Sequence, residues 1–337
     1  MLIVHVTTTD PAGSVINFVN AVNRYTPHCA RLITTMKNDY DFPGDMDMIA
    51  DAGEEIEALL VQADVIHLHK VRAEEMLIPV KLPKTGVDKE YRVSDFITVG
   101  GRTKKVVHHI HGHPYERQHV QENAALYDGM GATVLASTPD LEEMYKPHCS
   151  VRYFPNCVPI NDAKYLPRAT DEQILCADGK RRYMVFQSPT DAVLKNVAIL
   201  EDVHANLKDV LPVFLMIVTG VSQTRMLTMK RSAHVVFDHM QGYYGLCSLE
   251  AMSMGKPVIA GLSDYTVKAI CDFFGIEHTQ LPWQRAHTAA GLQLALSDIL
   301  SNDRFRRELG ARGRKFMEEV WSDKIIGQRL AAFYESL

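Results

Sequence analysis

The first half of the chain alternates between short apolar, β-branched runs and longer stretches of helical periodicity. The apolar runs predict strands at residues 2–6, 29–34, 65–68, 106–110, 133–136 and 151–154. Between them, apolar residues recur at helical spacing, as they do at 15–22 and 49–63. Alternation of this kind predicts βαβ crossovers, and therefore a parallel sheet with helices on both faces.

The second half repeats the same pattern after a break. Periodicity fades between residues 155 and 178, where Pro, Asn, Asp and Gly accumulate, and we interpret this stretch as an interdomain hinge. Strands are then predicted at 183–186, 213–218, 235–237 and 257–260, and the amphipathic helical tail at 303–337 is predicted to break at 321–322. Residues 79–105 predict a loop or a small hairpin. The chain therefore forms two doubly wound α/β halves.

The composition narrows the class of protein. A length of 337 residues favours two domains, and 46% hydrophobic with 23% charged residues is ordinary for a globular chain. No apolar run approaches the ~18 residues of a membrane-spanning helix, and the N-terminus is typical of a first strand rather than a signal peptide. Six cysteines without CxxC spacing favour a reducing, cytoplasmic location. The net charge of −5 gives no overall reason to bind nucleic acid or an anionic membrane.

Two strand-to-helix turns carry candidate phosphate sites, because ligands of open α/β sheets bind beyond the carboxyl ends of the strands. In the first turn, residues 10–14 (DPAGS), Gly13 lets a ligand approach the backbone, and Ser14 opens a helix whose N–H groups can hold an anion. This turn does not match GxGxxG, so a nicotinamide-binding fold gains little support. A plain tight turn is an equally good interpretation.

The second turn, residues 241–260 (QGYYGLCSLEAMSMGKPVIA), is more specific. A Gly-bounded loop runs into a helix that carries Glu250 and ends at Gly255, before a strand that starts at Pro257. This arrangement suits a nucleoside diphosphate, with the phosphates on the helix amides and the ribose hydroxyls on Glu250. The donor-binding residues predicted here are Gln241, Gly242, Tyr243, Tyr244, Gly245, Leu246 and Cys247.

This second turn resembles the signature of family 4 glycosyltransferases, in which EGFG precedes EAMAxGxPV. The chain is similar to that family at further segments: 109–112 (HIHG), 136–141 (ASTPDL), 154–159 (FPNCVP), 186–195 (FQSPTDAVLK) and the Arg-rich stretch 302–320. These correspond to the family's strand-end histidine, the element after the last N-domain strand, the hinge, the strand–loop–lysine element and the helix before the crossover helix. The likeness covers most of the chain.

The resemblance implies a GT-B fold, an α/β architecture of two doubly wound, Rossmann-like domains facing across a cleft. It implies an acceptor-side domain at 1–157, a nucleotide-sugar-binding domain at 158–319 and a crossover helix at 320–337 that packs on the first domain. The implied activity is transfer of a hexosyl or pentosyl group from a UDP- or GDP-linked sugar to an acceptor hydroxyl, with retention of configuration. It implies no cofactor and no metal, because Lys195 and the helix amides would hold the leaving diphosphate, while His111 would contact the donor sugar.

Two positions depart from the family pattern. The first Glu of the paired-Glu motif falls on Gly242, so its sugar contact is missing or comes from Gln241 or Asp238. The family's Arg falls on Thr190, kept as a donor-binding candidate, which leaves Lys195 as the main charge on the diphosphate. These departures favour an alternative, a nucleotide-sugar-binding protein with weakened catalysis. A GT-B-like epimerase or phosphorylase is another, although the lysine signature of the phosphorylase is not seen.

Histidines at alternate positions, 67 and 69 and again 109, 111 and 113, predict imidazoles on one face of each strand. That spacing is compatible with a metal site, but no Cys or acid cluster completes one, so no metal is predicted. Asp45 and Asp47 formally match the Asp-x-Asp metal motif of the other glycosyltransferase fold. Beside a helical pattern, we interpret them as helix-capping charge.

Basic residues surround these histidines in the half that the resemblance assigns to the acceptor. The candidates are Lys104, Lys105, His109, His113 and Arg117. Such a run is usually a solvated surface, but it would also suit a polyanionic acceptor, either a nucleic acid or a lipid-linked glycan. A transferase acting on a modified nucleic-acid base therefore stays open. The sequence names neither sugar nor acceptor, and it leaves the oligomeric state open.

Overall fold

A computed structural model describes residues 1–10, 12–34, 44–47, 53–70, 77–81, 88–168 and 172–337. The chain divides into two compact units, one made of Met1–Cys157 with Asp323–Leu337 and the other of Val158–Ser322. Pro11 of the first turn, the start of the helix predicted at 49–63, and parts of the hinge and of the segment 79–105 lie outside the described residues. Across the described ranges, no helix combines the length and the apolarity that crossing a membrane requires.

The first unit is built on parallel strands with helices between them. Its strands are β1 (Leu2–Thr7), β2 (Cys29–Thr34), β3 (Met46–Asp47), β4 (Val65–Leu68), β5 (Leu77–Lys81), β6 (Asp88–Arg92), β7 (Thr98–Val99), β8 (Arg102–Thr103), β9 (Lys105–Ile110), β10 (Thr133–Ala136) and β11 (Val151–Tyr153). Its helices are α1 (Ser14–Tyr25), α2 (Gly53–Gln62), α3 (Pro114–Gln118), α4 (Val120–Gly129) and α5 (Pro139–Tyr145). A short 3₁₀ turn follows β6 at Val93–Phe96.

Seven of these strands form one parallel sheet in the order β11-β10-β9-β4-β1-β2-β3. The interior strands β1 and β4 are almost completely buried, as expected where helices cover both faces of a sheet, and they are mainly apolar apart from His5, Thr7 and His67. The predicted small hairpin is confirmed in part, because β5 pairs with β6 and β7 with β8, whereas residue 105 already belongs to the main sheet. In register, His5 of β1 lies beside His67 of β4.

The second unit has the strands β12 (Ile174–Leu175), β13 (Arg181–Gln187), β14 (Val213–Ile217), β15 (Val235–Phe237), β16 (Val258–Ala260) and β17 (Gln284–Arg285). Its helices are α6 (Val197–Leu207), α7 (Gln223–Arg231), α8 (Leu246–Ser253), α9 (Asp264–Phe274), α10 (Ala289–Ser301) and α11 (Asp303–Glu319). The parallel order is β14-β13-β15-β16-β17, and β12 pairs antiparallel with the start of β13.

The helical tail breaks where the sequence predicts it. Helix α11 ends at Glu319, and α12 (Asp323–Ser336) begins after the buried Trp321. Helix α12 belongs to the first unit and packs on α1 so closely that a β-carbon on Gly327 would lie 2.9 Å from the backbone of Ala21. Only a residue without a side chain permits that approach of two helices.

One sequence interpretation is wrong. Asp45 and Asp47 do not cap a helix, because Asp47 lies in β3 and Asp45 immediately precedes that strand. The Asp45 carboxylate accepts hydrogen bonds from the Arg31 guanidinium at 2.7 and 2.9 Å, and from the Leu32 amide at 2.9 Å. Its role is to attach the edge strand β3 to β2, a role that depends on strand pairing and has no local signal in the sequence.

Candidate functional site

The loop after β15 brings a buried carboxylate and an ammonium together at the N-terminus of α8. Asp238 accepts hydrogen bonds from the Gly245 amide at 2.6 Å and from the Ser248 hydroxyl at 2.7 Å. Its other oxygen lies 3.1 Å from Nζ of Lys195, which the turn between β13 and α6 supplies. Burial alone would raise the pKa of Asp238, but the Lys195 charge and these hydrogen bonds lower it below the ordinary value. The carboxylate is therefore charged and fully engaged.

Gly245 allows these two charges to lie directly on the start of the helix. A β-carbon at this position would be 3.0 Å from both Lys195 Nζ and Asp238 Oδ1. The ammonium therefore adds to the positive end of the helix dipole. The backbone amides of Leu246 and Cys247 donate no hydrogen bond within this part of the chain, all of which the structure describes. These amides are the donors that an incoming anion can use.

Glu250 lies one turn further along α8 and forms half of a buried ion pair. Its Oε2 is 2.5 Å from Nζ of Lys230 on α7, and the two side chains are 4% and 0% exposed. Burial alone would lower the pKa of Lys230, but Cys247 and Glu250 raise it above its ordinary value. The pair is a structural element that the sequence did not reveal. Among the described residues none donates to the other oxygen, Oε1, which is left for a ligand.

The conformation of the loop before α8 explains the first departure from the family pattern. Gly242 has a φ of 89°, and its carbonyl accepts a hydrogen bond from the Ser263 amide at 2.8 Å. This backbone region favours glycine, so a glutamate here would be strained. Asp238 does not replace the missing carboxylate, because it is buried and holds Lys195.

The other predicted donor-binding residues differ in how accessible they are. Thr190 and Gln241 are exposed, and Tyr243 is half-buried, with its ring centroid 4.4 Å from that of His239. Tyr244, in contrast, is 1% exposed and packs against Trp283 and Trp321, so its side chain belongs to the core. Only the backbone of Tyr244 can therefore contact the donor as predicted. The Sγ of Cys247 lies 3.6 Å from the Ser188 hydroxyl.

The first candidate phosphate turn, at the start of α1, already holds a carboxylate. Gly13 has a φ of 64°, and its amide bonds to the Asp10 carbonyl at 3.1 Å. The Asp10 carboxylate accepts from the Ile16 amide at 2.9 Å and lies 3.5 Å from the hydroxyl of Ser14. Burial raises the pKa of Asp10 to about 6. An external anion at this turn would have to displace Asp10.

A fourth buried carboxylate, that of Glu116, holds the turn that carries His111. Glu116 accepts hydrogen bonds from the amides of His111, Gly112 and His113 at 3.1, 2.6 and 2.8 Å. Burial raises the pKa of Glu116 to about 7. His111 itself is half-buried, and its Nε2 lies 2.9 Å from Nδ1 of His69. Since Nε2 of His111 is engaged by His69, Nδ1 is the nitrogen that can contact a sugar.

The acceptor-side candidates do not form one exposed basic surface. Lys104 is 6% exposed and His109 is fully buried. Arg117 donates to Asp140 at 2.6 Å and to the Gly112 carbonyl at 3.2 Å. Lys105 and His113 are exposed. Burial of the two interior residues removes them from any contact with a polyanion.

Five histidine side chains of the first unit form a stack that sequence spacing suggested only in part. Ring centroids of neighbouring members lie 4.1–5.6 Å apart. We call them the histidine cluster; its members are His5, His67, His69, His109 and His111. Alternation within β4 and β9 was visible in the sequence. The convergence of β1, β4 and β9 was not, because it depends on sheet order.

No protein-family model matches the chain, and no curated protein matches its sequence. Solved structures that it resembles include GT-B glycosyltransferases, so the predicted α/β fold class is confirmed. HepE of Anabaena, in complex with UDP-glucose, gives a TM-score of 0.65 at 12% identity over 100% of both chains. Sucrose-phosphate synthase of Thermosynechococcus elongatus gives 0.63 at 14% identity, over 100% of this chain and 98% of that one. A glycosyltransferase of Rickettsia africae gives 0.56 at 11% identity, over 99% and 98%.

Proposed function

We propose that the protein is a glycosyltransferase whose donor is a UDP- or GDP-linked sugar. The observation that carries this proposal is the position of Lys195 Nζ against Gly245, at the positive end of α8. Negative charge grows on the diphosphate as the bond to the sugar breaks, and a positioned cation beside free amides stabilises that charge. The UDP-glucose complex of HepE supports this class of donor.

Each described residue then has a definite task. Lys195 and the amides of Leu246 and Cys247 hold the diphosphate, Asp238 positions Lys195, and Oε1 of Glu250 accepts the ribose hydroxyls. Retention of configuration rests on the likeness of the motif to family 4. Because the diphosphate charge is met by these groups, we expect turnover to be the same with and without added Mg²⁺ or Mn²⁺. In the first unit, His111 stays the predicted contact to the sugar, through Nδ1.

The test separates phosphate binding from base binding. Lys195→Met should weaken a nucleoside diphosphate by about 1.5–3 kcal/mol, the range for hydrogen bonds to charged groups, and leave the bare nucleoside almost unchanged in calorimetry. Lys208→Met is the matched control, because Lys208 lies at the opposite end of α6 and is exposed. Lys195→Met combined with Asp238→Asn removes both charges and should show the same selective loss. Equal losses for both ligands would mean that Lys195 does not bind phosphate.

A second candidate function is a nucleotide-sugar-binding protein that no longer transfers the sugar. The observation that favours it is Gly242, whose backbone disfavours the carboxylate found in the family pattern. A panel of UDP- and GDP-sugars decides between the two functions. Tight donor binding with neither hydrolysis nor transfer to any acceptor would support the binding protein, and hydrolysis of one donor would support the transferase.

A further inference from the structure

One contact fixes the proton position on His109, a member of the histidine cluster. His109 Nε2 lies 3.0 Å from the backbone carbonyl oxygen of Phe154. A carbonyl only accepts, so Nε2 carries the proton, and the neutral ring then has an unprotonated Nδ1. Burial lowers the pKa of His109 well below 6.5, which keeps the ring neutral. That Nδ1 is buried, and no donor reaches it within the described part of the chain.

Two further histidines, His69 and His111, have rings next to that of His109, with centroids 5.6 and 4.6 Å away. His69 Nδ1 and His111 Nε2 are 2.9 Å apart, and one nitrogen each from His69, His109 and His111 lie within 4.8 Å of one another. A tetrahedral Zn²⁺ with Zn–N bonds of 2.0–2.1 Å holds its ligand nitrogens roughly 3.3 Å apart. The His69–His111 pair would therefore open by about 0.4 Å, and nitrogens that now lie as much as 4.8 Å apart would close by up to about 1.5 Å.

We propose that His69, His109 and His111 bind a divalent transition metal ion, with Zn²⁺ as the best fit. Imidazole nitrogens suit zinc, copper, nickel and iron rather than Mg²⁺ or Ca²⁺. Three histidines fill three positions of a tetrahedron and leave the fourth for water or a ligand. His111 is half-buried, so this end of the cluster has a path to solvent.

The outer nitrogens of His69 and His109 already have the kind of partners that metal-bound histidines use. His109 Nε2–H donates to the Phe154 carbonyl, and Nε2 of His69 lies 2.8 Å from Nδ1 of His5, which accepts its proton when Nδ1 of His69 binds the metal. Tyr334 continues the chain, with its hydroxyl 3.4 Å from His5 Nε2 and 2.6 Å from His67 Nδ1. Such outer contacts fix the tautomer and orientation of ligating rings.

A second trio, His5, His67 and His69, meets the same distance condition. It is completely enclosed, and it would use the Nε2 of His69 that faces His5. The trio with His111 is therefore the better site. Metal on Nε2 of His111 would also fix the proton on Nδ1, so that Nδ1 donates to the donor sugar; this last consequence rests on the proposed function.

The experiment titrates tag-free, chelator-treated protein with Zn²⁺ by calorimetry, and with Co²⁺ by visible absorption, which reports a tetrahedral nitrogen site. We expect one ion per chain. His109→Gln and His111→Asn should each weaken the affinity by roughly a hundredfold or more. His108→Gln is the matched control, because His108 is buried on the same strand but faces Tyr127, with ring centroids 4.1 Å apart.

Three outcomes would overturn the proposal: no stoichiometric Zn²⁺ uptake by the wild type, unchanged affinity in both ligand variants, or a loss confined to His67→Gln, which would place the ion in the enclosed trio. His111→Asn keeps the test decisive if His109→Gln fails to fold, since residue 111 lies beyond the end of β9. Nucleoside diphosphate affinity, measured on the same samples, reports on Lys195 independently. A failed metal site therefore leaves the proposed function standing, and the reverse also holds.

Discussion

Replacing Glu250 by Leu is expected to destabilise the second unit, and this loss of stability would obscure any effect on nucleotide binding. The Oε2 of Glu250 is 2.5 Å from Nζ of Lys230, and neither side chain has appreciable exposure. Removing one member of such a pair leaves a buried charge without a partner and costs about 3–5 kcal/mol. This is a large share of the roughly 5–15 kcal/mol that holds a folded protein together. Lys230→Met should cost a similar amount.

The double variant Lys230→Met/Glu250→Leu separates stability from binding. Apolar residues of similar volume replace a buried ion pair at little or no cost, so the double variant should unfold in urea near the wild-type midpoint. It still lacks the Glu250 carboxylate. If that carboxylate accepts the ribose hydroxyls, its loss should weaken the binding of UDP or GDP by about 1.5–3 kcal/mol. That loss should disappear for the 2′,3′-dideoxy nucleotide, which has no hydroxyls to lose. Additive single-variant effects would refute the ion pair, and wild-type UDP affinity in the double variant would refute the ribose contact.

Three further predictions concern the start of α8, the buried histidines and the acceptor side. Gly245→Ala places a methyl group 3.0 Å from Lys195 Nζ, so diphosphate affinity should fall severalfold in calorimetry while nucleoside affinity holds. Burial lowers the pKa of His5 and His108 from 6.5 to about 3. As the pH falls below 6.5, the unfolded chain therefore binds protons before the folded chain does, and each histidine lowers the free energy of unfolding by about 2 kcal/mol at pH 5. The free energy of unfolding, measured in urea at neutral pH and at pH 5, should therefore fall by about 2 kcal/mol less in His108→Gln than in the wild type. The raised pKa values of the buried carboxylates Asp10 and Glu116 act in the opposite direction, and they do so equally in both proteins. Finally, with Lys104 and His109 buried, the acceptor Michaelis constant should be independent of salt and unchanged in Lys105→Glu; a steep salt dependence would point to a polyanion.

The strands could be predicted because their signal is local. Residues 29–34, 65–68, 133–136 and 235–237 are predicted with the bounds that the structure has, since short apolar runs between turn residues specify buried parallel strands. The loop–helix element at Glu250 was equally visible, because its glycines mark the turn and the end of the helix.

What could not be predicted depends on contacts between distant segments. Lys230 lies twenty residues before its partner, at the end of α7, and nothing in its neighbourhood marks it as buried. The histidine cluster requires β1 to lie between β4 and β2, and β4 beside β9, an order that no periodicity contains. Tyr244 was assigned to the ligand because a motif position does not distinguish a backbone contact from a core side chain.

In the proposed function, the Lys195–Asp238 ion pair makes nucleotide binding an exchange of partners rather than an addition. Before a diphosphate arrives, Lys195 is neutralised by Asp238, so the free protein does not hold an uncompensated cation near the start of α8. A diphosphate must share or take over that ammonium, which reduces the net gain on binding. After transfer of the sugar, the same carboxylate would compete for the ammonium again and weaken the binding of the nucleoside diphosphate product. The Asp238 carboxylate would thus lower the affinity for the nucleotide and speed its release, which suits the proposed transferase because it must release a nucleoside diphosphate in every catalytic cycle.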